Sequence, residues 1–109
     1  METVKAPLPA PARHAVSKLG ADISLARRRR RFTQASLAER MGASVSTVRR
    51  MEAGDGRVPI HFYARALSVF GEIQSLENLL DTERDYIGLA MMDQRLPKRV
   101  RPSKSKSVW

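Results

Sequence analysis

The stretch from Thr33 to Gly54, TQASLAERMGASVSTVRRMEAG, restricts the fold more than any other part of the chain. Its apolar residues recur at helical spacing in two short bursts, Leu37, Ala38 and Met41 before Gly42, then Val45 or Val48 with Met51 before Gly54. Each burst follows a residue suited to an N-cap, Thr33 in one case and Ser44 in the other, because a hydroxyl oxygen there accepts a free N–H of the first turn. Gly42 tolerates the left-handed conformation that closes a helix. Two helices this short are marginal alone, since nucleation is costly, so they need a core shared with their flanks.

The flanks supply it. Val16, Leu19, Ile23 and Ala26 share one helical face, and Ser17 as cap predicts a first helix over about residues 17 to 31. After Pro59, a fourth helix packs Phe62, Tyr63, Ala66, Leu67 and Phe70 before Gly71, and a fifth uses Ile73, Leu76 and Leu80. No alternating strand pattern exceeds a few residues, so the expectation is an all-α, five-helix domain over residues 16 to 81. Pro7, Pro9 and Pro11 predict a flexible arm over residues 1 to 15. Residues 82 to 96 form a short extension in which Tyr86, Leu89, Ala90 and Met91 have helical spacing, weakened by Gly88. Residues 97 to 109, rich in Ser and Lys, predict a basic tail that is disordered when unbound.

A chain of 109 residues has no room for a second, enzymatic domain. Twenty basic residues against eleven acidic give a net charge of +9, the sign expected of a protein that meets a polyanion, and six of the basic residues lie in residues 95 to 109. The absence of cysteine excludes disulfides, thiolate zinc sites and a catalytic thiol. His14 and His61 have no partner at metal-ligand spacing, and no activated nucleophile with a nearby base can be named. The chain is therefore expected to hold no metal or cofactor and not to be an enzyme. No apolar run approaches the ~20 residues of a membrane span, and the N-terminus lacks a signal peptide's apolar region, which predicts a soluble cytoplasmic protein.

Two short helices joined by a glycine-containing turn form a helix-turn-helix, whose second helix can lie in the DNA major groove. The segments TQxxLAxxMG and SxSTVRRMExG, with the closing Phe70-Gly71, resemble the phage-repressor-like (XRE-type) helix-turn-helix regulators over about residues 17 to 81. That resemblance implies a repressor-like fold and sequence-specific DNA binding. It also implies that Gln34, at the start of the second helix, contacts backbone and steadies a base-reading side chain. Thr33 belongs with it on the DNA-facing side. The resemblance further pairs Arg27 with Glu52 in a buried ion pair tying the first and third helices.

With Val48 and Met51 inward, Ser46, Thr47, Arg49 and Arg50 point outward on the third helix, the side that meets base edges. An arginine reaching guanine bonds O6 and N7 together, and Arg50 is the better placed by family position. Ser46 would assist at a neighbouring base, Val45 would touch a thymine methyl, and Ser44 and Thr47 suit phosphate oxygens near the helix N-terminus. Arg27 to Arg31 sweep roughly 500° around a helix and cannot form one flat patch, so Arg27 turns to the core while Arg28 to Arg31 meet phosphate or water.

The expected partners are double-stranded DNA with a near-palindromic operator and a second copy of the chain. The apolar excess of Ile73, Leu76, Leu79 and Leu80 favours burial in a homodimer. Trp109, the only tryptophan, is a candidate anchor in another protein's pocket. The GLAMMDQRLPKRVR extension and terminal tryptophan are similar to HipB-like antitoxins, which implies autorepression and a kinase-like toxin partner. That group commonly adds an intersubunit strand after the last helix, and ENLLDTERDY has no clear strand pattern. The alternative is an interaction adaptor or antitoxin in which DNA binding is secondary. RNA recognition is disfavoured because the exposed positions lack aromatic stacking platforms.

Overall fold

The computed structural model describes residues 6–82 and 85–91, and every regular element among them is helical. The chain divides into two units, Met1–Leu76 and Glu77–Trp109. The first contains α1 (Ala10–Arg29), α2 (Gln34–Met41), α3 (Val45–Glu52) and α4 (Ile60–Phe70). The short α5 (Ile73–Glu77) follows at the junction, and α6 (Tyr86–Ala90) belongs to the second unit.

One core serves α1 to α4. Ile23 comes from α1, Leu37, Ala38 and Met41 from α2, Val48 and Met51 from α3, Val58 from the following loop, and Ala66 and Phe70 from α4. Phe62, Tyr63 and Val45 pack partly buried against it. Leu37, Val48 and Met51 are sealed from water, each contributing about 1.5–3 kcal/mol of apolar burial. α1 approaches α3 closely at Gly20, where an added Cβ would stand 2.5 Å from the Met51 carbonyl oxygen and 2.9 Å from that of Glu52. Only a residue without a side chain allows this approach.

The short helices stop where local chemistry dictates. Thr33 accepts the N–H of Ser36 at the start of α2, and Ser44 accepts that of Thr47 at the start of α3. α1 to α4 all end in the same closure, with one residue in the left-handed region and the next N–H returning five residues to a carbonyl. Gly42, Gly54 and Gly71 fill that position after α2, α3 and α4, but after α1 it is Arg31, at φ 59°. A non-glycine residue held there costs on the order of 1 kcal/mol.

Several expectations need correction. The first helix begins at Ala10, not near residue 17, so Ser17 lies inside it and residues 10–15 are not an arm. The prolines do not block it: Pro9 is the N-cap and Pro11 lies in the first turn, where a missing N–H breaks no hydrogen bond. That helix also ends at Arg29, short of residue 31. Leu19, expected on the core face, is 40% exposed. The fifth helix stops at Glu77, leaving Leu80 outside it and 79% exposed. The expected helix around Tyr86 is present, with Asp85 capping it through the N–H of Gly88. The basic tail, with Trp109, lies outside the described residues.

Candidate nucleic-acid interface

α3 presents two unlike sides. Val48 and Met51 are fully buried, three residues apart and so on one face, while Ser46, Arg49 and Arg50 are exposed. Val45 is half-buried against the core, which limits how far it can reach toward a thymine methyl. The Arg49 side chain makes no hydrogen bond or ion pair with another described residue. Arg50 is 48% exposed, with its Nε 3.6 Å from Asp55 Oδ2.

At the N-terminal end of α3 the hydroxyls of Ser44 and Thr47 lie 3.0 Å apart, and Ser44 Oγ also accepts the Thr47 N–H at 3.1 Å. Two hydroxyl protons serve this pair and one lies between the oxygens, so one remains to donate outward. The N–H groups of Val45 and Ser46 precede the first intrahelical bonds, so this end carries donors and the positive end of the helix dipole. Phosphate oxygens suit such an end. Thr33, exposed at the start of α2, uses its hydroxyl as a cap in the same way.

Beneath this surface, Glu52 joins three elements. Arg27 Nε donates to its Oε2 at 2.6 Å and Nη2 to its Oε1 at 3.0 Å, while the remaining Arg27 Nη1 donates to the Phe32 carbonyl at 2.8 Å. The pair is 12% and 8% exposed, so it is an interior bidentate contact. Burial alone would raise the Glu52 pKa, but hydrogen bonds from Arg27 and Gln34 outweigh it and hold the carboxyl below its ordinary value. The hydrogen bond to Glu52 raises the Arg27 pKa against the effect of burial.

Gln34, the first residue of α2, donates from Nε2 to Glu52 Oε1 at 3.0 Å, so its amide steadies the carboxylate beneath the recognition helix, a contact that sequence reasoning did not include. The same Glu52 oxygen also accepts from Arg27 Nη2.

The arginine run divides as its geometry requires. Arg27 turns inward, and Arg30 donates to the Ala26 and Phe70 carbonyls while lying 4.8 Å over the Phe70 ring. Arg28, Arg29 and Arg31 are exposed. Sequence reasoning missed the loop after α3, where Asp55 accepts from the backbone N–H, Nε and Nη2 of Arg57. The Arg57 side chain is 89% exposed, adding a cation beside the recognition helix. Asp55 and Gly56 after Gly54 are residue types that favour a turn, but nothing local indicates that the carboxylate also reaches back to Arg50. Leu8 lies against this loop, 3.6 Å from where a Cβ on Gly56 would stand, and its carbonyl accepts from Arg13.

Among the described residues no helix is long and apolar enough to cross a membrane, and no cluster of His, Cys, Asp and Glu could hold a metal ion. No curated protein and no solved structure gives a significant match to the chain. The family described as "Helix-turn-helix domain" matches residues 18–80, a span that takes in the Gly20 contact, both capped short helices and the Arg27–Glu52 pair. With that span covering more than half of its length, and with the polar side of α3 exposed on a sealed apolar base, the chain belongs to the helix-turn-helix family of DNA-binding regulators.

Proposed function

We propose that the protein is a cytoplasmic, sequence-specific transcriptional regulator that binds a near-palindromic operator as a homodimer and performs no catalysis. Two copies of α3 enter successive major grooves, with half-sites about 34–36 Å apart. The observation that carries this reading is the division of α3, whose Val48 and Met51 are locked inside while Ser46, Arg49 and Arg50 stand outside. Arg50 reads guanine, Ser46 supports a neighbouring base, and Ser44, Thr47 and Thr33 set register on phosphates.

Selection of bound sites from random duplex DNA tests it. Enrichment of a two-fold symmetric sequence is expected, with Arg50→Ala relaxing preference at one base pair per half-site and affinity falling steeply with salt. Failure to enrich any sequence overturns the reading.

The second unit supports association with protein. Leu79, Leu80, Tyr86, Ile87 and Met91 are 70%, 79%, 75%, 77% and 71% exposed, a concentration of apolar surface that water disfavours. Homodimerisation covers such surface, and the antitoxin resemblance adds a kinase-like toxin as a further occupant, making the regulator an autorepressor. Sedimentation of the purified chain distinguishes the two. A dimer formed by the chain alone, lost on Leu80→Asp, supports the first; a monomer that becomes stable only with a co-purified kinase-like protein supports the adaptor or antitoxin reading, with DNA binding secondary.

A further inference from the structure

Asp55 and Arg57, in the loop after α3, have no part in the reading above. Asp55 Oδ1 accepts from the Arg57 backbone N–H at 2.9 Å and from its Nε at 3.1 Å, and Oδ2 accepts from Arg57 Nη2 at 3.2 Å while lying 3.6 Å from Arg50 Nε. The carboxylate is 17% exposed, against 48% for Arg50 and 89% for Arg57. One largely covered anion thus sits between two cations that keep much of their surface in water.

The contact on Arg50 is at its Nε side. The guanidinium is a rigid planar fork, so an anion drawn to one edge orients the others, and the terminal Nη groups hydrogen-bond to no described residue. Base reading needs two parallel N–H groups aimed at two acceptors of guanine. An unanchored arginine beside a duplex is instead drawn to the nearest phosphate, which carries charge and no sequence information. A fixed carboxylate opposes that diversion twice, by holding the side chain and by repelling phosphate.

We propose that Asp55 is a specificity-determining positioning residue, which holds Arg50 by its Nε side so that its remaining edge meets a base rather than the backbone. This rests on the reading of Arg50 as the base-reading side chain. Asp55 itself touches no base. Removing its charge then has effects of opposite sign, tightening sequence-blind binding while weakening discrimination. A residue that only shaped the loop would weaken binding to every sequence alike.

The test uses the full chain with Asp55→Asn, Arg57→Ala, Arg50→Ala and the Asp55→Asn/Arg50→Ala pair. Each is titrated against the selected operator, the operator substituted at the base pair most sensitive to Arg50→Ala, and unrelated duplex. Asparagine keeps an oxygen for the Arg57 N–H, so the turn is retained, and an unchanged melting curve verifies this. Asp55→Asn is expected to bind unrelated duplex several-fold tighter and to lose about fivefold in discrimination at that base pair, the lower end of what one bidentate arginine contact supplies. In the Arg50→Ala background the same change is expected to leave discrimination unaltered. Arg57→Ala, which leaves the carboxylate on Arg50, is expected to keep the base preference.

If Arg50→Ala leaves base preference intact, the underlying reading of Arg50 fails. If Arg50→Ala relaxes preference but Asp55→Asn does not, the positioning role alone is overturned. A loss in Arg57→Ala as large as in Asp55→Asn also overturns it, because the effect then belongs to the loop.

Discussion

Glu52 and Asp55 lie three residues apart, and each carboxylate engages two arginine or amide side chains, yet they belong to different parts of the protein's work. Glu52 is 8% exposed and joins Arg27 on α1 and Gln34 on α2 to the end of α3. Asp55 holds only residues near itself in sequence, Arg50 and Arg57, both with much of their surface in water. The chemistry is the same and the surroundings decide its consequence. A covered ion pair whose partner is removed leaves a charge that neither water nor protein satisfies, whereas an exposed one is resolvated at little cost. The first fixes where the recognition helix sits, and the second acts on what its side chains meet.

The largest effect that would test this contrast is on Glu52. Glu52→Ala strands Arg27 in the interior and is expected to cost about 3 kcal/mol, the lower end for a buried pair because the site is not wholly sealed. Chemical denaturation measures it as a lowered midpoint. A loss below about 1 kcal/mol would place Glu52 in the same class as Asp55 and remove the distinction. Gly20→Ala comes next. Its methyl would press on the Met51 and Glu52 carbonyl oxygens and force α1 away from α3, at a cost of about 1–3 kcal/mol. Because the same movement stretches the Arg27–Glu52 contact, the losses from Gly20→Ala and Glu52→Ala are expected to be less than additive in the double variant. Simple addition would mean that the close approach and the ion pair are independent.

How much of this was legible in the sequence follows the range of the forces involved. Thr33, Gly42, Ser44 and Gly71 act on their own turn of backbone, and the bounds of α2 and α3 were readable from them without any tertiary knowledge. The inward residues of α2 and α3 followed from periodicity in the same way. The start of α1 was misread because prolines break helices by position rather than by number, and Pro9 and Pro11 occupy positions that tolerate them. Gly20 was unreadable, since nothing around it in sequence indicates which backbone will press against it. The same holds for Asp55. Its contact with Arg57 is local, but its hold on Arg50 depends on how the chain leaves α3. Ser46, Arg49 and Arg50 were placed outward by spacing alone, whereas the attachment of Gln34 to Glu52 needed the packed structure.

Acid acts on both carboxylates. Hydrogen bonds from the Arg57 side chain and backbone hold the Asp55 carboxyl down at about 2, and the Glu52 carboxyl also lies below its ordinary value. Unfolded Asp and Glu titrate near 3.9 and 4.3, so the unfolded chain binds protons at both positions more readily than the folded one. Their stabilising contribution is therefore fully present above about pH 5 and is lost as pH falls through the folded values, which for Asp55 is about 2. Melting temperature is expected to be flat from pH 7 to about 5 and to fall below about 4. Glu52→Gln and Asp55→Asn should each flatten the acid limb, since each removes a carboxyl that the folded chain keeps ionised below its unfolded range. An acid limb unchanged by one of these variants would mean that its carboxyl is not displaced by folding.

The smallest expected effect is the most informative about function. Asp55→Asn should change stability at neutral pH far less than Glu52→Ala does, because Arg50 and Arg57 are resolvated when the charge is removed and the asparagine oxygen still accepts the Arg57 N–H. Paired thermal melts of the two proteins at neutral pH and low salt measure it, low salt being the condition that favours a surface pair most. Near-identity there, with altered base preference on DNA, would separate what Asp55 does for recognition from what it does for folding. A melt shifted as far as that of Glu52→Ala would mean that the loop after α3 is part of the scaffold, and the two carboxylates would then form one structural network running along the recognition helix.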